Sequence, residues 1–209
     1  SRGLGDVYKR QVIDSEHGSA SKYSDLFNFD TVDLEAPFTV QKYIDLLNFA
    51  GENNYDVLIM DSLTHAWDWL VGYVEQVARA KYRGNTFTAW SEGTPIQDQL
   101  IQALLSSPCH VIATVRTKNE YAVDQVNGKT KITRMGTKLK QREGFEYEFD
   151  MFMTGNIEHF FTVEKDRTGK YQDQIIEKPN RKFGEELKAW LDSGADVPVV
   201  KPPTAGMGN

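Results

Sequence analysis

Apolar positions in this chain gather in short blocks that end in acids, and the blocks are separated by stretches of helical period. "VIDSE", residues 12–16, opens on two β-branched residues and closes on Asp14 and Glu16, which predicts the end of a strand. Pro37 and Thr39 predict a helix start; Tyr43, Leu46, Leu47 and Ala50 then share one face up to about Asn53. "YDVLIMDS", residues 55–62, has a short apolar centre flanked by acids, the pattern of a strand buried on both faces. Trp67, Leu70, Val71, Val74, Val77 and Ala78 recur at helical spacing up to Gly84. Pro95 is placed at the first turn of another helix, burying Ile96, Leu100, Leu104 and Leu105. "CHVIATVR", residues 109–116, predicts a further buried strand.

Beyond residue 116 the pattern changes. "YAVDQVNGKTKITR" alternates around Asn127-Gly128, a hairpin signal, and "EYEFDMFMTG" and "HFFTVEKD" predict two more strands. A last helix at about 184–192 carries Leu187, Trp190 and Leu191, and the Pro- and Gly-rich residues 194–209 are expected to be a disordered tail. No internal repeat is visible. The predicted fold class is α/β: a mostly parallel sheet flanked by helices, with antiparallel strands on the C-terminal side.

The composition narrows the function. A chain of 209 residues with 40% hydrophobic and 26% charged residues suits one well-cored soluble domain, or one domain and a tail. The net charge of -6 excludes a uniformly basic nucleic-acid binder but leaves room for a local basic strip. One cysteine, Cys109, rules out a disulfide framework and points to a reducing compartment. No apolar run approaches the ~20 residues of a membrane span, and no signal-peptide pattern is present. Residues 1–11, SRGLGDVYKRQ, lack a starting Met and show no period. They look like translated adapter sequence and are expected to be foreign to the protein.

Several residues carry candidate chemistry. Asp61 ends a predicted central strand, at the edge where open parallel sheets bind ligands, and Ser62 follows it. That pair suits a water-mediated Mg²⁺ contact; a helix-capping Asp would look the same. Glu16 is a second acid at a strand end, suited to orienting a water, or else a solvated loop acid. His17 reads as a local hydrogen-bonding residue, since no second His or Cys stands at ligand spacing. Thr114 and Arg116 end the third strand, placed to sense a phosphate or simply solvated. Lys165 and Arg167 stand two apart on a predicted strand and could clamp an anion, or line a hairpin in solvent. Lys138, Lys140 and Arg142 form a basic run between Gly136 and Gly144, suited to a phosphate backbone or to a solvated face.

In order along the chain, "VIDSEHGSASKY", "YDVLIMDSLTHA" and "HVIATVRTK" resemble the ATPase core of the RecA family, over about residues 12–192. "EKDRTG" is similar to the Lys-Asn-Arg motif of the RadA branch and the paired lysines of RecA. "WSEGTPIQDQLIQALLSSPCHVIATVRTKNEY" and "QREGFEYEFD" look like the short RecA-like ATPases of phages, some of which are single-strand annealing recombinases. The resemblance implies ATP and Mg²⁺ as cofactors. Glu16 would polarise the attacking water. Asp61 would hold the Mg²⁺ shell, supported by Ser62. Thr114, with Arg116 beside it, would sense the γ-phosphate. Lys165 and Arg167 would act in trans on ATP held by a neighbouring protomer. Lys138, Lys140, Gln141 and Arg142 lie where the family's second DNA loop and its flank fall. Single-stranded DNA, a homo-oligomeric ring or filament, and the cytoplasm of a bacterium or phage-infected cell are the expected setting, without a membrane. One departure is large: no G-x-x-x-x-G-K-[ST] loop occurs in these residues. The expected organisation is therefore a foreign segment 1–11, an incomplete core 12–193 whose P-loop strand and helix were lost by truncation, and a tail 194–209. The alternative is a nucleotide-binding or assembly module that keeps the fold without turnover.

Overall fold

The computed structural model describes residues 8–126 and 129–194. The chain divides into two compact units, residues 1–148 and 149–209. Asn127 and Gly128, where the hairpin turn is expected, and residues 195–209, most of the expected tail, lie outside the described residues.

In the first unit, β1 (Arg10–Asp14) leads through a 3-10 turn to β2 (Asp30–Asp33), α1 (Val40–Glu52) and β3 (Val57–Asp61). Two long helices, α2 (Thr64–Lys81) and α3 (Thr86–Leu105), precede β4 (His110–Ala113). The four strands form one parallel sheet in the order β2-β1-β3-β4, flanked by the helices. Asp14 is in register with Asp61, and Met60 with Ala113, so three strands finish level at one edge. Ile13, Leu58 and Met60 are fully buried, as are Tyr43, Leu63, Leu70 and Leu100 from the helical side. Each strand buries apolar area worth about 1.5–3 kcal/mol per large side chain. β5 (Thr117–Val126) and β6 (Lys129–Leu139) pair antiparallel as expected, with Val126 opposite Lys129.

The helix starts follow local chemistry. Thr39 caps α1, its hydroxyl accepting from Lys42 N at 3.3 Å. The predicted start of the third helix at Pro95 is corrected: α3 begins nine residues earlier, where Asn85 caps it by accepting from Thr88 N at 3.0 Å, and Pro95 lies inside. A proline in a helix removes one backbone bond, whereas packing against α2 holds the whole length. Gly93 makes that packing possible, because a Cβ there would stand 2.4 Å from Val74 Cγ2. Leu105, expected in the core, is 53% exposed at the helix end. β4 also differs from expectation. It is an edge of the sheet among the described residues, and His110 and Ile112 are exposed. Arg10 and Gln11, expected to belong to the foreign segment, are the first two residues of β1 and pair with Val57 and Leu58.

The second unit holds β7 (Met151–Gly155), β8 (Phe160–Asp166) and β9 (Ile175–Glu177) in one antiparallel sheet, followed by α4 (Arg181–Asp192). Asn180 caps α4 by accepting from Lys182 N at 2.9 Å, and Phe183 packs edge-on to Tyr171. Buried Asp166 closes the turn after β8, accepting from Thr168 N, Thr168 Oγ1 and Tyr171 N. No helix among the described residues is long and apolar enough to cross a membrane.

Candidate active site

Three level strand ends put Asp14, Asp61 and the residues after Ala113 side by side at the carboxyl edge of the sheet, the edge at which open parallel sheets take ligands. The chain is stitched across that edge by backbone bonds. Ser15 N donates to Asp61 O at 2.7 Å, Thr114 N to Met60 O at 3.0 Å, and Leu63 N to Thr114 O at 3.0 Å. The Asp61–Ser62 peptide is cis.

The carboxylates differ in their partners. Asp14, 1% exposed, accepts from Glu16 N and Ala20 N at 2.6 Å each and from Ser19 Oγ at 3.2 Å. It pins the loop that carries Glu16. Asp61 is partly buried and accepts from Thr114 Oγ1 at 2.6 Å on Oδ1. Glu16 accepts from Ser62 Oγ at 3.2 Å on Oε1 and is ion-paired with Arg116 on Oε2. Of the expected nucleotide-site residues, the structure thus joins Glu16 with Ser62 and Arg116, and Asp61 with Thr114. His17 is exposed with φ 60.

Behind this front lies a buried knot that the sequence reading did not name. Ser15 Oγ, in a residue 1% exposed, accepts from Ser62 N at 2.8 Å and lies 3.0 Å from His65 Nδ1. Tyr43 OH donates to Ser62 O at 3.0 Å. Burial pushes its phenol up to about 12, with the charge of Glu16 adding to the rise and the contact with Ser15 opposing it. Thr64 Oγ1 accepts from Arg116 N at 2.9 Å. The adjacency of Thr64 and His65 to the Asp-Ser strand end was the available signal for two of these residues; Tyr43 carried none beyond its helical face.

The basic run lies close by. The hairpin starts one residue after Arg116, and Lys140 N donates to Arg116 O at 2.9 Å. Lys140 pairs with Asp68 at 2.6 Å, Lys138 with Glu143 at 3.8 Å, and Arg142 Nη1 reaches Thr94 Oγ1 at 3.4 Å. Gln141 points inward: it is 6% exposed, its Oε1 lies 3.4 Å from Gln97 Nε2, and it also accepts from Arg142 N. Its side chain is therefore not on the surface that a DNA strand would touch. Lys165 and Arg167 belong to the second unit. Lys165 lies in β8, and Arg167 just past its end is paired with Asp150 at 3.0 Å.

This donor set fits one hard cation. Mg²⁺ keeps most of its waters and takes one or two carboxylates with substrate phosphates, and among the described residues no three His, Cys, Asp or Glu side chains gather to cage an ion. Asp61, oriented by Thr114, would hold such an ion through water. The ion would supply charge neutralisation for a phosphate.

No curated protein matches the chain. A family model described as an AAA domain matches residues 7–178, most of the sequence, and the chain belongs to that family of P-loop ATPases.

Proposed function

We propose that this AAA-domain protein is an ATPase that works on single-stranded DNA in recombination or repair, in the manner of the RecA-like ATPases of phages. One observation carries the ATPase part of the reading: Glu16, Asp61 and Thr114 converge at the carboxyl edge of a parallel sheet, with Asp61 and Thr114 hydrogen-bonded. In this reading Glu16 orients the attacking water and takes up its proton as the γ-phosphoryl group departs. Asp61 and Ser62 serve the Mg²⁺ shell, and Thr114 reports the state of the γ-phosphate to β4. Arg116, now on Glu16, turns to the phosphate when nucleotide is present. Lys165 and Arg167 reach the nucleotide of the adjacent protomer in a ring or filament. Lys138, Lys140 and Arg142 exchange their present partners for the DNA backbone, which makes binding strongly salt-dependent.

A second reading, a nucleotide-binding or assembly module without turnover, draws on the engagement of both Glu16 oxygens. ATP hydrolysis by the protein, measured with and without a single-stranded oligonucleotide, separates the two. The expected result is stimulation by the oligonucleotide and a loss of about 100-fold or more in Asp61→Asn. Turnover that survives Asp61→Asn removes Asp61 from the mechanism. Nucleotide binding without turnover selects the module.

A further inference from the structure

His65 stands in the first turn of α2 with its side chain 18% exposed. Phe38 stacks on its ring at 4.7 Å between centroids and 25° between planes, which fixes the imidazole plane. The two ring nitrogens then face different partners. Nδ1 is 3.0 Å from Ser15 Oγ, and Nε2 is 3.9 Å from Glu16 Oε1.

Ser15 has one hydroxyl proton, and three acceptors are within reach: Asp61 O at 3.1 Å, Ser62 O at 3.2 Å and His65 Nδ1. Both carbonyls already have a donor. Asp61 O takes Ser15 N at 2.7 Å, and Ser62 O takes Tyr43 OH at 3.0 Å. Ser62 N donates into the Ser15 oxygen at 2.8 Å, so that oxygen is an acceptor on one side and a donor on the other. Each carbonyl thus has a donor without the Ser15 hydroxyl, whose proton can serve Nδ1. A neutral imidazole that accepts at Nδ1 carries its proton on Nε2, the nitrogen that faces Glu16.

We propose that Ser15 and His65 form a tautomer-setting relay that positions the Glu16 carboxylate. Ser62 Oγ and His65 Nε2–H both address Oε1, and closing the second contact to hydrogen-bond range takes a shift of less than about 1 Å. Arg116 addresses Oε2 alone, from a side chain 54% exposed. When Arg116 leaves, Oε1 still faces Ser62 Oγ and His65 Nε2, and Oε2 is presented to the water. His65 is a positioning residue: its Nε2–H orients the carboxylate, as the partner of a functional group does. The inference rests on the ATPase reading of Glu16.

Two substitutions divide the ring's functions. His65→Gln keeps an amide N–H near the Nε2 position and loses the Ser15 contact. His65→Asn keeps a polar atom near Nδ1 and loses Glu16. The expected result is that Gln retains kcat within about threefold while Asn loses about tenfold or more, with KM for ATP unchanged in both. The reverse ranking makes His65 a clamp on Ser15 and overturns the relay. Long-range ¹H–¹⁵N NMR at pH 8 reads the tautomer directly and needs no turnover. The Nε2–H form is expected in the unsubstituted protein, with the preference lost in Ser15→Ala; an Nδ1–H form overturns the relay. A protein that hydrolyses no ATP overturns the ATPase reading instead, and the tautomer measurement still decides between relay and clamp.

Discussion

Tyr43→Phe tests the buried knot with a single oxygen. Tyr43 is 0% exposed, and its hydroxyl donates to Ser62 O at 3.0 Å. Deleting it costs little in packing. The variant loses one hydrogen bond, so the loss falls near 1 kcal/mol, inside the ordinary range. The pH dependence is more telling. Burial, with the Glu16 charge behind it, raises the phenol from 10.0 to about 12 in the folded protein. Between those values the unfolded chain loses its proton while the folded one keeps it. The stability is therefore fully present below pH 10 and declines as pH rises through 12. A difference of one in pKa is worth about 1.4 kcal/mol, so the full loss is about 3 kcal/mol and about half of it has occurred at pH 11. The phenylalanine variant has no such proton. Urea unfolding of both proteins at pH 8 and pH 11 should show a gap of about 1 kcal/mol that closes to zero or reverses. Tyr55, also raised to about 12 by its hydrogen bond to Asp30, is common to both and cancels. A gap of the same size at both pH values would refute the buried-phenol account.

Two other substitutions probe the frame around the site. Gly93→Ala should lower stability by about 1–3 kcal/mol in the same urea assay despite the better helix former, because its Cβ meets Val74 Cγ2 at 2.4 Å and Trp90 at 3.0 Å; no loss would mean the α2–α3 contact is loose. Gln11→Met should raise stability by about 1 kcal/mol, or 2–4 °C in Tm, since Gln11 is 2% exposed and its Oε1 has no partner among the described residues, while Met preserves the volume. A lower Tm would mean that the amide oxygen is satisfied.

The parallel frame was legible because its signals are local. Apolar blocks ending in acids mark β1 and β3, and Thr39 before an apolar stripe marks α1. β2, with two aspartates among four residues, has no strand period and is held by pairing with β1. The start of α3 was missed because Pro95 outweighed the cap at Asn85 in a reading of local preference, while the packing of Gly93 on Val74 is a contact with α2. The site divides in the same way. Glu16, Asp61, Ser62, Thr114 and Arg116 could be named because they stand at or just past strand ends. Ser15, Tyr43 and His65 meet through contacts spanning 19 to 50 residues, which no spacing rule encodes.

The three acids at the sheet edge look alike in sequence, and only their hydrogen bonds distinguish them. An ionised carboxylate offers about four lone-pair directions. Asp14 spends three of its directions on Glu16 N, Ser19 Oγ and Ala20 N, inside the protein. A group so saturated can shape a loop but has little left for an ion or a water. Asp61 gives one direction to Thr114, and no other hydrogen bond from a described residue engages its carboxylate, which suits a group that meets a metal's water shell. Glu16 is intermediate: one oxygen faces Ser62 and the ring of His65, and the other meets a half-exposed arginine. An exposed ion pair is worth at most about 1 kcal/mol, less than a charged phosphate could offer Arg116 in a water-poor cleft. Release of Arg116 would thus free Glu16 Oε2 for a ligand, while the three bonds on Asp14 keep the Glu16 loop in place.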